Sequence, residues 1–307
     1  MDATAQTRSD NPMLGITIIV VSVFAMAFAD AVVKLVSSSL SIWQVFLVRS
    51  LFGVPVLLLI ARATRVGFSL KRPGWAILRS VLLVSTWIAY YASLPVLNLS
   101  VAAIAVYTNP IIIALLSAWL LGDRVTPRQW IGVFLGFLGV VTILRPGTSG
   151  FSWYTVLPLL AALFYALAMI LTRSKCRDDQ PLLLGLNLHL TFIVTGALGI
   201  FCLYILNLDT QVSSSYPFLL DGWASLSGKD LALLALLGVL AGGYFVGVAK
   251  AYQIAPSPII ATYDYFYLIS AAIWGFVFFA ERPDIWVALG MVLITLAGLL
   301  VAGRKPA

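Results

Sequence analysis

The chain has 307 residues, of which 61% are hydrophobic and only 10% charged, and its mean hydropathy is +1.02. A soluble domain carries about 25% charged residues, so water cannot be the solvent for most of this surface, and lipid takes its place. The formal charge of +7 lies in short loops between apolar runs and forms no basic face with interleaved aromatics, which argues against a nucleic-acid partner.

A membrane-spanning helix needs about 20 mostly apolar residues. Ten runs qualify: 12–36, 41–61, 74–95, 99–121, 127–145, 151–172, 181–206, 230–253, 257–280 and 284–303. The predicted fold is an all-α integral membrane protein with ten transmembrane helices. Most connections are short, and the longest, 207–229, is polar and Ser-rich and reads as an irregular surface loop.

In the first run, Ala27-Phe28-Ala29 mimics a cleavage site, but the apolar stretch continues to Val36, so the span is expected to be retained. Asp30 and Lys34 stand four apart on one face, an ion-pair spacing that makes both cheaper to bury. They read as a structural pair or a gate. Arg49 in the second run could hold a substrate carboxylate bidentately, or bond a neighbouring helix. Trp87 and Tyr91 form a stripe on the third, either a cavity wall or an interfacial aromatic belt. Pro95, Pro110, Pro256 and Pro258 are candidate kinks or hinges.

Gly132 and Gly136 give the fifth run a small-residue face for helix crossing or a dimer. His189 in the seventh could carry a proton or satisfy a neighbouring helix. Lys250, near the end of the eighth, could snorkel or face a substrate. Cys176 and Cys202 are far apart in character, and with a single histidine neither a metal nor a cofactor is expected.

The ninth run contains "ATYDYFYLIS" (261–270). A charge at the bilayer centre is costly, about 2.5–3.5 kcal/mol on insertion scales, so Asp264 is expected to face water, substrate or a partner. At about 100° per residue, Tyr263, Asp264 and Tyr267 share one broad stripe, while Tyr265 and Phe266 point elsewhere. The stripe reads as a cavity wall, with the carboxylate meeting an ammonium or a proton. The alternative is a buried acid satisfied by tyrosine hydroxyls or Lys250.

Lys and Arg set the orientation. With the N-terminus inside, twelve fall on inner segments and three (Arg145, Lys229, Arg282) on outer ones. Both termini are therefore expected in the cytoplasm of a bacterial-type inner membrane.

Residues 107–139 align without a gap on 265–297, at an offset of 158. Tyr107 matches Tyr265, Gly122-Asp123-Arg124 matches Ala280-Glu281-Arg282, and Gly132 matches Gly290. More loosely, Arg49 falls opposite His189. The expected halves are 1–147 and 148–307, five helices each. Five is odd, so the second half enters from the other side, an inverted repeat around a central cavity.

The stretch "NPIIIALLSAWLLGDRVTPRQWIGVFLGFLGVVTI" (109–143) and its second copy (261–301) resemble the hallmark of EamA-type transporters of the drug/metabolite transporter superfamily. The second copy departs in having Leu268 where the first has Pro110, and so lacks the proline for a matching kink. The pattern is most similar to bacterial YddG-like amino acid exporters. That resemblance implies export of amino acids, aromatic ones included, by alternating access. A drug or other metabolite exporter of the same fold is the alternative.

An enzyme is not expected. Tyr263-Asp264 resembles the "YD" of intramembrane aspartyl proteases, but the only Gly-Asp, at Gly122-Asp123, precedes it and sits at a helix end. The expected partners are a small-molecule substrate and the bilayer, for a monomer or weak homodimer.

Overall fold

The computed structural model describes residues 11–97, 102, 105–106, 108–122, 126–144, 154, 156–207, 210–282 and 284–302. All regular structure among them is helical. The long helices are α1 (Pro12–Val36), α2 (Ile42–Ala63), α3 (Pro73–Ser93), α4 (Asn109–Leu116, continued by a π turn over Ser117–Leu121) and α5 (Pro127–Leu144). Then follow α6 (Val156–Ser174), α7 (Pro181–Leu206), α8 (Gly228–Ile254), α9 (Ser257–Phe279) and α10 (Ile285–Ala302). Seven of these, all but α4, α5 and α10, are long and apolar enough to cross a membrane. Arg8, Tyr107, Asp123, Arg124, Arg145, Arg304 and Lys305 lie outside the described residues.

Local chemistry sets the helix ends. The Asn11 side chain accepts from the Leu14 amide at 3.2 Å and Pro12 opens α1. Ser227 and Asp230 form a reciprocal cap on α8, and at the start of α2 the Gln44 side chain accepts from the Ser41 amide (3.4 Å). Pro73, Pro181 and Pro258 occupy first turns, where the missing N–H costs nothing.

These ends place the candidate hinges. Pro95 lies past the end of α3, Pro256 caps α9, and Pro110 and Pro258 stand in opening turns. The proline inside a helix is Pro55 of α2.

The fourth helix of each half carried candidate kinks at Pro110 and at Pro256 and Pro258, and both helices break, at Thr108, two residues before Pro110, and at Tyr265. In α9 the turn is at Tyr265, whose amide reaches only Thr262 O (3.4 Å) while the Leu268 amide bonds Tyr265 O (3.0 Å). Ahead of α4 the same spacing recurs at Thr108, with its amide on Ala105 O (3.4 Å) and the Ile111 amide on its carbonyl (3.1 Å). The two breaks sit one residue apart in the repeat register. The second forms without a proline, so the kink belongs to the packing of the half.

Packing partners are unchanged when the two sets of five helices are exchanged. α1 packs on α8 as α6 does on α3; α2 on α8 as α7 on α3; and α1 on α9 as α6 on α4. α2 with α7, α4 with α9, and α5 with α10 pair across the pseudo-axis. The α2–α8 seam is backbone on backbone: a Cβ built on Gly238 falls 2.1 Å from Arg49 O and 2.9 Å from Gly53 N. Gly132 and Gly136 are both buried on α5, and Gly136 leaves room for the Tyr265 ring, whose hydroxyl lies 2.7 Å from a built Cβ.

The 207–229 connection is more ordered than expected. It holds two short helices, Thr210–Ser215 and Pro217–Leu220. Trp43 Nε1 donates to Leu219 O (2.8 Å), Gln44 exchanges two bonds with Ala224, and the Tyr216 hydroxyl donates to Ala92 O.

Candidate functional site: a cavity at the paired helix breaks

A narrow internal cavity opens where the two breaks meet the bundle axis. Its volume is about 20 Å³, room for about one water. Met26 and Asp30 of α1, Thr86, Trp87 and Tyr90 of α3, Val106 and Asn109 at the first break, Tyr165 of α6 and Tyr267 of α9 line it. Four of these nine residues are aromatic, and one is a carboxylate.

Asp30 is fully buried and collects two phenols. Tyr91 donates to its Oδ1 at 2.9 Å, and Tyr267 donates to Oδ2. Tyr267 has spent its proton there, so Tyr90, 2.8 Å away, donates to Tyr267. Behind Tyr91, Arg49 Nη1 donates to the phenol oxygen at 3.3 Å. The chain of donation runs from Arg49 through Tyr91 to Asp30, and from Tyr90 through Tyr267 to the same acid. Charge-assisted acceptance of this kind replaces the water a carboxylate loses on burial.

Two polar atoms of the wall are unspent. Trp87 Nε1, a donor, and Asn109 Oδ1, an acceptor, are buried without a hydrogen-bond partner in the structure. A ligand with both a donor and an acceptor would satisfy them.

The sequence candidates divide accordingly. Trp87 and Tyr267 line the cavity as expected of a wall. Tyr91, Arg49 and His189 are buried but do not line it. Arg49 is wrapped by Phe46, Phe192 and Tyr91, ring centroids 5.1, 4.4 and 5.7 Å from its guanidinium carbon, and cation–π contact takes the place of a carboxylate partner. The His189 ring packs edge-on against Phe245, and its Cε1 lies 2.6 Å from a Cβ built on Gly53.

Asp264 is fully buried one layer away from the cavity. Its Oδ2 accepts from Tyr165 (3.1 Å) and Tyr252 (3.0 Å), while Oδ1 has no hydrogen-bond partner in the structure. Lys250 does not reach it. Tyr263 is half-buried and stacks on Phe266, 6.2 Å apart and 11° from parallel, so the stripe expected to face inward is split by the turn at Tyr265.

Asp30 and Lys34 do not pair with each other. Lys34 Nζ instead bonds Glu281 Oε1 at 3.1 Å and Leu97 O at 3.4 Å, over the Phe279 ring. The phenols compete for Asp30, and an acid from the second half is better placed for the ammonium. Sequence reasoning missed Tyr165, Tyr252, Asn109 and Thr86. Isolated polar residues in apolar runs were their only signal.

Among the described residues no group of three His, Cys, Asp or Glu could hold a metal ion. Cys176 and Cys202 are free thiols, the first buried and the second exposed.

The sequence pattern of the EamA-like transporter family matches residues 13–145 and again 152–303. The chain belongs to the EamA-like transporter family. A riboflavin transporter of Rhizobium johnstonii is 29% identical to this EamA-like chain, over 88% of this chain and 84% of its own. An S-adenosylmethionine uptake transporter of Rickettsia prowazekii is 24% identical over 94% and 92%. The pseudopaline exporter CntI of Pseudomonas aeruginosa (strain UCBPP-PA14) is 26% identical over 95% and 96%. A solved crystal structure shares the EamA-like fold at a TM-score of 0.69, with 19% identity over 95% of this chain and 96% of that one. The protein is therefore a multi-pass membrane transporter for small molecules.

Proposed function

We propose that this EamA-like protein is a secondary transporter that moves small amphipathic solutes with an aromatic or heteroaromatic part, by alternating access. The carrying observation is the cavity at the two helix breaks, walled by Trp87, Tyr90, Tyr165 and Tyr267, with Trp87 Nε1 and Asn109 Oδ1 unspent. Broken helices beside a central site are a recurring transporter design, because the freed backbone and side chains face the substrate. Residues 1–147 and 148–307 act as the two inverted units, with both termini in the cytoplasm and the protein working as a monomer or weak homodimer in the inner membrane.

Amino acid export is the narrower reading. An ammonium matches Asp30 and an aromatic side chain matches the rings. Against it, the nearest cation, Arg49, stands behind Tyr91 and offers no direct contact to a substrate carboxylate. Relatives named for riboflavin, S-adenosylmethionine and pseudopaline include both uptake and export proteins, which favours the broader reading.

The test is a thermal-shift screen of the purified protein with the twenty amino acids, riboflavin and S-adenosylmethionine, followed by counterflow of any stabilising solute in liposomes. Saturable exchange abolished by Trp87→Ala is the expected result. No exchange of any stabilising solute by the folded protein overturns the reading.

A further inference from the structure

We infer that Asp30 is a proton-binding site that couples proton movement to the opening of the cavity at the Lys34 end. The inference builds on the transporter reading and adds its energy source.

The helices alternate in direction, so the bundle has two ends. α1 begins where α8 finishes, and the Asn11 amide bonds Ile254 O at 2.7 Å. α1 finishes at the other end, beside Glu281 and Leu97. At that end the Tyr90–Tyr267 bond and the bonds of Trp43, Gln44 and Ala92 to the 207–229 connection join the halves, and α1 adds two contacts of its own: Asp30 with Tyr267, and, one helical turn on (about 5.4 Å), Lys34 with Glu281. Separating the halves there breaks both.

The two contacts differ in what can release them. Lys34 and Glu281 are partly exposed, at 17% and 22% of their side-chain surface. Asp30 is buried at the cavity wall, and Tyr267 reaches it across the cavity from the other half. A proton added to the carboxylate removes the charge that assists this bond, and charge-assisted bonds are roughly twice as strong as neutral ones. No covalent bond changes. The proton enters on one side with the site closed at the Lys34 end and leaves when that end is open.

The groups facing Asp30 from every side are compatible with this role. α3 presents Tyr90 and Tyr91, α9 presents Tyr267, and α8 brings Tyr244 within electrostatic reach. α2 contributes Arg49, held one phenol away. On its own helix, Lys34 is turned toward Glu281. No cation of the protein touches the carboxylate, so a proton can neutralise it without displacing a resident ion.

Asp264 is the competing acid. Both of its bonds, from Tyr165 and Tyr252, stay within the second half, and it does not line the cavity. Its protonation therefore does not change what joins the two halves.

The test uses the full chain with Cys176 and Cys202 replaced by Ser and spin labels at Leu35 and Val277, exposed positions on α1 and α9 near the Lys34 end. Inter-label distances are measured from about pH 8 to about pH 5. The wild-type background should shift to longer distances at low pH. Asp30→Asn should show the longer distances throughout, and Asp264→Asn should still shift. Should Asp30→Asn fail to fold, Tyr267→Phe keeps the acid, removes the cross-half bond, and should give long distances even at high pH. A pH response surviving Asp30→Asn, one lost only in Asp264→Asn, or short distances in Tyr267→Phe overturns the inference.

Liposomes separate this from the transporter reading, with riboflavin and L-tryptophan as probes. Counterflow at equal pH tests transport alone. A gradient of one pH unit should drive up to about tenfold accumulation at one proton per solute, and the effect of the gradient should be lost in Asp30→Asn whatever rate of counterflow that variant keeps. Counterflow with no effect of the gradient on the wild type overturns the proton site and leaves the transporter. If neither probe exchanges, the distance measurements still decide the role of Asp30.

Discussion

Gly122 and Ala280, 158 residues apart, close the fourth helix of each half with the same left-handed residue, at φ of 67° and 53°. In the first half the position is a glycine and the conformation is free. In the second a Cβ has been added, and the turn is kept at a cost of roughly 1–2 kcal/mol. Ala280→Gly should therefore raise Tm, and Gly122→Ala should lower it by a similar free energy. A Cβ at Gly122 meets nothing within 4 Å, so backbone conformation alone sets the outcome. Thermal unfolding in detergent, followed by tryptophan fluorescence, reads both.

Gly238→Ala should be among the most damaging single-methyl additions. The new Cβ would stand 2.1 Å from the Arg49 carbonyl, and backbone cannot turn aside as a side chain can. The expected loss is about 1–3 kcal/mol, the usual range for overpacking. Gly243→Ala on the same helix meets nothing within 4 Å and should be neutral in the same melting assay.

Tyr91→Phe removes the one hydrogen bond that holds Arg49 and one of the two that hold Asp30. Leaving buried charged groups under-satisfied costs about 1–3 kcal/mol. The Tm should fall, and Arg49→Met in the Tyr91→Phe background should recover part of the loss. A double-mutant cycle measures that coupling.

Glu281→Gln should change stability by less than about 1 kcal/mol, as expected for a partly exposed ion pair. Its larger effect should be kinetic. With one of the ties at the Lys34 end weakened, counterflow should speed up, and Lys34→Gln should act alike without adding to it. Slower exchange in both variants would contradict a latch.

Cys176 is buried in the loop after α6, and burial pushes its thiol up to about 11. The thiolate is the reactive form, so maleimide labelling at neutral pH should be slow and should rise with pH toward that value. Replacing Cys202 by Ser isolates the signal. Faster labelling on adding a transported solute would report opening of the end where the Cys176 and Asp179 carbonyls hold Gln253.

Much of the fold was legible because lipid imposes one requirement on every span, a long apolar run, and because the two halves kept their register through Gly122-Asp123-Arg124 and Ala280-Glu281-Arg282. The site was only half legible. Trp87 and Tyr267 were picked out by helical spacing, whereas Asp264, picked out by its charge, does not line the cavity. Spacing on a straight helix misplaced Tyr263, because the turn at Tyr265 resets the face and no proline announces it. The pairing of Asp30 with Lys34 failed for a related reason. Neighbours on one helix are visible in sequence, whereas Tyr91, Tyr267 and Glu281 arrive from other helices.

The contact between Gly53 and Gly238 has a mechanical consequence. Where two backbones touch with no side chain between them, nothing can compress or swap rotamers to absorb strain. Such a joint can roll but cannot slide or breathe. α2 and α8 belong to different halves, so under the alternating-access reading proposed above the joint would serve as a fulcrum. A small tilt about it lifts one end of the bundle as it presses the other shut, which keeps the two mouths from opening together.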